Sequence, residues 1–245
     1  MISKILAFAS AIAFSAVFFI TATIVSTTPA SSEEVVSSIA RGGLLYDKWF
    51  KVIGARKPDD THKLWPASNT KKAGNVTWRC KSCHGWDLKG KDGAYASGSY
   101  KTGIKGLEAM NGADNAKVIA IMKDGDHGYS GMMSDQDFTD LANFVTKGQH
   151  DLAMYIDYAT KKVKGDAAKG AVYYNTVCAK CHGMDGTLPK EMEETVGYLV
   201  NKNPWEIFQK IMNGQPAETM PAMRAFGPQA AADIMAYGQS MPTGH

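Results

Sequence analysis

The chain has 245 residues, 44% hydrophobic and 21% charged, with 24 glycines and 9 prolines, which excludes collagen-like, disordered and polytopic membrane classes. Its 27 basic and 24 acidic side chains leave a net charge of +3, too mild to point to nucleic acid as a partner. The excess sits in the first half: residues 40–150 carry 17 basic and 12 acidic side chains, residues 151–245 carry 9 and 10.

Residues 1–30 stand apart. After Lys4, the stretch Ile5–Val25 is 21 residues without a charge. At a helical rise of about 1.5 Å per residue it reaches about 31 Å, enough to cross a bilayer. The apolar core of a cleavable signal peptide is shorter, about 7–15 residues. The one candidate cleavage site, Thr28-Pro29-Ala30, is poor because of its proline. Lys4 on the short N-terminal side places the remainder outside the cytoplasm. The expectation is therefore a retained single-pass anchor through residues 5–25, with a cleaved signal as the alternative. Either exports the chain.

The rest repeats one plan. Ala40-Arg41-Gly42-Gly43-Leu44-Leu45-Tyr46 resembles Ala168-Lys169-Gly170-Ala171-Val172-Tyr173-Tyr174, and each copy runs into Cys-x-x-Cys-His-Gly. Two domains follow, residues 31–148 and 166–245, and the first carries an insertion over 51–78. Further helices are predicted over Asn115–Lys123, after the cap Ser134, over Pro204–Met212, and after Gly227-Pro228. The connector, 149–165, is expected to be helical, running from Met154, Ile156 and Tyr158 to Lys161, Lys162 and Lys164. No convincing alternating strand occurs, so the fold class is all-α: an N-terminal transmembrane helix and two tandem helical domains. A helical core of about 80 residues is marginal alone, and a bound group would help each domain.

The four cysteines form two tight pairs, Cys80/Cys83 and Cys178/Cys181. Both stand in C-x-x-C-H, the attachment pattern for c-type haem. Two thiols three residues apart on one helical turn can bond both vinyl groups of one haem, and the next histidine then faces the iron. One zinc held by all four thiols is the bland alternative, but 95 positions separate Cys83 from Cys178, and zinc does not explain a histidine after both pairs. Disulfide pairs are the other.

On these motifs, residues 40–245 resemble the class I c-type cytochromes of the tandem, two-haem kind. The resemblance implies two covalently attached haem c groups on Cys80, Cys83, Cys178 and Cys181, with His84 and His182 as proximal iron ligands. The family's distal ligand is usually a methionine in a Met-Pro pair. Met220-Pro221 supplies one, with Met223 as the fallback, and Pro189 matches a proline whose loop steadies the proximal histidine. The first domain lacks such a pair. Counting seven residues back from Ser134, as Met220 lies seven before Gly227, lands on His127. That gives a bis-histidine haem, with Met132 and then Met133 as competing ligands.

Other residues carry weaker expectations. Arg79 and Arg224 are candidates for haem propionates, and Tyr95 and Tyr100 for wrapping the first haem. Lysines 81, 89, 91, 101 and 105 ring the first attachment motif. His62, His150 and His245 are expected to be surface histidines. The function expected from the resemblance is single-electron transfer between a membrane-bound or periplasmic oxidoreductase and an acceptor, as a respiratory-complex subunit. That places it single-pass on a bacterial cytoplasmic membrane, with both haem domains in the periplasm and redox proteins and the bilayer as partners. The alternative is a two-haem periplasmic enzyme of peroxidase or thiosulfate dehydrogenase type, with an open haem iron.

Overall fold

Glycines that admit close helix crossings organise both domains. A computed structural model describes residues 32–190 and 192–244. The anchor expected over residues 5–25 lies outside them, as does His245. Among the described residues no helix is long and apolar enough to cross a membrane, and strand pairing is confined to two isolated bridges.

In the first domain, α1 (Ser32–Val52) bends at Lys48 and buries Leu45, Tyr46 and Trp49. It crosses α4 (Asp135–Lys147), whose start is fixed by a capping box: Ser134 and Asp137 each bond the other's backbone N–H. The crossing is tight because Gly42 has no side chain. A Cβ there would lie 2.1 Å from the Asp140 carbonyl oxygen. Between these helices come α2 (Cys80–His84), the attachment turn, and α3 (Asn115–Lys123), capped by Asp114.

The second domain repeats this. Helix α5 (Ala167–Tyr173), capped by Asp166, continues through a π-helical turn, Tyr174–Cys178, into α6 (Ala179–His182). It crosses α9 (Gly227–Gly238) at Gly170, where a Cβ would stand 1.8 Å from the Asp233 carbonyl oxygen. Helices α7 (Val196–Lys202) and α8 (Pro204–Asn213) lie between, and α8 begins with proline in its first turn.

The connector differs from expectation. Residues 149–165 are not helical beyond one 3-10 turn at Leu152–Met154. The chain doubles back instead, bridging Ile156 to Val163 around a turn held by the Asp157 carboxylate. Leu152, Ile156 and Val163 are buried in the second core beside Phe208 and Met235. Trp86, from the first domain, joins the same cluster and is only 2% exposed.

Candidate functional site

The two C-x-x-C-H segments adopt one geometry. Each is a short helix stopped by glycine in an extended, positive-φ conformation: Gly85 at φ 83°, ψ 158° and Gly183 at φ 75°, ψ 161°. A tyrosine from the preceding helix ties down each stop. The Tyr46 hydroxyl donates to the Gly85 carbonyl at 2.7 Å, and the Tyr174 hydroxyl donates to that of Gly183 at 2.9 Å. The repeated Gly-x-x-x-Tyr thus has a physical reading: glycine seats the helix, and tyrosine one turn later holds the attachment loop.

The histidine of each C-x-x-C-H is aimed the same way. His84 Nδ1 bonds the Lys105 carbonyl oxygen at 2.9 Å, and His182 Nδ1 bonds that of Leu188 at 3.3 Å. Pro189 follows directly, so the loop the resemblance singled out does carry the carbonyl. Lys105 is its counterpart in the first domain, which has no proline there and gave no signal in the sequence. Burial first, with the neighbouring His127 adding to it, pushes His84 down to about 4 despite the Lys105 bond. Its imidazole is therefore neutral, the form that coordinates iron.

Ring nitrogens separate the histidines. His62 uses both: Nδ1 accepts the Leu64 N–H at 3.1 Å, and Nε2 donates to the His127 carbonyl at 2.9 Å. His150 Nε2 faces Arg224 at 3.3 Å. Among the described residues, Nε2 has no protein partner only in His84, His127 and His182. His127 lies on the loop between α3 and α4, with Nδ1 3.3 Å from Asp124 Oδ1. One nitrogen on a carboxylate or carbonyl and the other open is the arrangement a coordinating histidine needs. Met132 and Met133 lie on the same loop and pack against the first core.

The insertion 51–78 covers this loop. His62 is 4% exposed, not a surface residue, and its ring lies 4.4 Å from Trp78 and 5.8 Å from Tyr129. Lys63 bonds the Gly125 carbonyl. The Trp78 carbonyl, at the end of the insertion, accepts from both Trp49 and Tyr129, at 3.0 and 2.9 Å.

In the second domain the residues enclose a cavity of about 630 Å³. Cys178, Cys181 and His182 line it together with Met220, Pro221 and Met223. The Met220 loop can approach α8 because Gly214, at φ 92°, has no side chain; a Cβ would sit 2.7 Å from the Met220 carbonyl oxygen. The volume and apolar lining suit a planar group of haem size. The thiols fit attachment better than redox chemistry. Burial pushes Cys80 and Cys83 up to about 12 and Cys178 up to about 11, whereas redox-active C-x-x-C thiols are lowered. No group of three or more His, Cys, Asp or Glu poised for a metal ion occurs among the described residues, so the zinc alternative finds no site.

Several of the remaining candidates have protein partners. Arg79 bonds Asp47, and Arg224 bonds Asn213 and the Gly148 carbonyl. Tyr95 and Tyr100 stack on one another at 5.1 Å. Lys81 is 4% exposed rather than part of a surface ring, lying over the rings of Trp86 and Tyr100.

These paired sites define tandem cytochrome c-like helical domains. Comparison with known families agrees: residues 72–149 match the family described as cytochrome c, and residues 165–237 match that described as cytochrome c oxidase, cbb3-type, subunit III. No curated protein matches the chain significantly. The protein is a c-type cytochrome with tandem domains, which binds haem c covalently and transfers electrons.

Proposed function

We propose that the chain is a membrane-anchored, two-haem electron carrier working as a subunit of a respiratory complex. Residues 5–25 anchor it to the bacterial cytoplasmic membrane, and both haem domains lie in the periplasm. The observation that carries the two-haem reading is the set of open Nε2 atoms: His84 and His127 in the first domain, His182 in the second, where Met220 lines the cavity with it. When bound, each haem supplies a one-electron ferric/ferrous couple. The protein's part is to fix the ligands and exclude water. Lys105 and Leu188 carbonyls orient the proximal rings, Asp124 orients His127, and the apolar wall around Met220 keeps the second site dry.

Thioether ligation raises a haem potential relative to a second imidazole. The first centre is therefore the lower, and electrons run from the first domain to the second. The match of residues 165–237 to an oxidase subunit family favours a fixed subunit, taking electrons from a membrane-bound oxidoreductase or passing them to an acceptor beside it.

Low-temperature EPR of the oxidised, haem-loaded protein tests this, with haem content measured alongside. Two haems per chain and two low-spin ferric signals, one bis-histidine and one histidine–methionine, are expected. In Cys178→Ala/Cys181→Ala, one haem and the bis-histidine signal remain. A high-spin signal in the unaltered protein would instead support an enzyme with an open iron.

A further inference from the structure

The joint between the domains holds more charge than packing requires. Asp47, on α1 just before its bend, has a side chain only 4% exposed. One carboxylate oxygen takes Arg79 and the other takes Lys210. Arg79 Nε also donates to the Asp47 carbonyl at 2.7 Å. Burial pushes the Asp47 carboxyl up, but Lys210 and Arg79 outweigh it and hold the group below the usual carboxylate range.

The two cations lead to different sites. Arg79 immediately precedes Cys80, the first thiol of the first attachment turn. Lys210 is on α8 and lines the cavity of the second domain. A second contact runs alongside. Trp86, two residues after His84, is buried in the second core, and Gln209 donates to its carbonyl at 3.0 Å. The ammonium groups of Lys81 and Lys210 lie 5.0 and 5.3 Å from its ring centre.

Buried ion pairs add little net stability compared with apolar packing, and in some proteins what they supply is register. A carboxylate with its two oxygens committed to cations on two elements sets the separation of those elements and their angle. We propose that Asp47 is a positioning residue for electron transfer between the two haems, holding α8 and the first attachment turn in one register. This rests on the two-haem reading above. In the step concerned, the ferrous iron of the first domain loses one electron and becomes ferric, and the ferric iron of the second gains it and becomes ferrous. No bond or proton changes hands, so the rate is governed by separation and by the matter between the centres.

The test uses the full, haem-loaded chain. Haem content is measured first; one haem per chain would overturn both the two-haem reading and this proposal. With two present, photochemical one-electron reduction starts the exchange, and absorbance follows it. In Asp47→Asn the exchange is expected to slow by about tenfold or more, since small misplacements cost rates of this order. Both low-spin EPR signals should keep their positions, which a general loosening of the haem sites would not allow. Lys210→Met, which keeps the apolar stem, should slow it similarly, and the double variant no further, because both act through one contact. Should Asp47→Asn fail to fold, Lys210→Met decides with the second haem's potential and EPR signal as controls, because Lys210 lines that cavity: a slowed exchange with both unchanged supports the proposal, and an unslowed exchange overturns it. Two haems with an exchange rate within about twofold of the parent overturns the proposal while leaving the two-haem reading intact.

Discussion

Gly170→Ala adds one methyl group at the crossing of α5 and α9. Its Cβ would lie 1.8 Å from the Asp233 carbonyl oxygen, 2.4 Å from the carbonyl carbon and 2.9 Å from Ile234 N, whereas ordinary contact begins at 3.4 Å. All three atoms are main chain inside a helix, so no side chain can swing aside. The helices must part by about 1.6 Å at this point, the difference between 3.4 and 1.8 Å. Overpacking of this kind costs about 1–3 kcal/mol, and a rigid backbone neighbour puts the figure near 3. Alanine's better helix propensity returns about 1 kcal/mol. A net loss of about 2 kcal/mol remains, which lowers Tm by about 4–8 °C for a unit of this size. Calorimetry of the oxidised, haem-loaded chain reads it directly. Tyr174 lies one turn beyond Gly170, so the displacement also pulls at its bond to the Gly183 carbonyl, and absorbance of the second haem should change with the stability. A variant with unchanged or raised Tm would refute the close-crossing argument here and at Gly42.

Three further outcomes are expected. Met220→His replaces the thioether lining the second cavity with an imidazole, so the potential of the second haem should fall towards that of the first; an unchanged potential in a redox titration would remove Met220 as ligand. His62→Ala removes the donor to the half-buried His127 carbonyl at a cost of about 1 kcal/mol and should shift only the first haem's EPR signal, while His62→Gln restores the donor; equal signals in all three would show that the insertion does not hold the distal loop. His150 is pushed from 6.5 down to about 4, by burial and then by Arg224. Its native form is neutral where the unfolded chain takes up a proton. The stability it carries is therefore full above 6.5 and is lost as pH falls towards 4. Urea unfolding should show that decline, and His150→Phe should flatten it.

Local chemistry made much of the molecule legible. Ser134 with Asp137 announced α4, Pro204 announced α8, and the paired C-x-x-C-H motifs announced two short helical turns, each stopped by glycine. The connector is not the expected helix: Met154, Ile156 and Tyr158 recur every second residue, the period of extended chain. The Asp157 carboxylate takes the Ala159 and Thr160 N–H groups instead, and Lys161 at φ 63° turns the chain back. His62 and Lys81 looked like surface residues, but the 124–134 loop covers the first from far along the chain, and the rings of Trp86 and Tyr100 cover the second. Asp47 and Lys210 are 163 positions apart, and no window of sequence joins them.

With Leu152, Ile156 and Val163 built into the second core, residues 149–165 do not act as a tether. Paired modules on a flexible leash meet at a frequency set by its length; here the halves touch through Trp86 with Gln209 and Asp47 with Lys210, so their separation is set by the fold. A longer connector would not tune communication between the halves but would unseat part of the second domain. Evolution or engineering can therefore adjust traffic between the halves only by altering the seam itself.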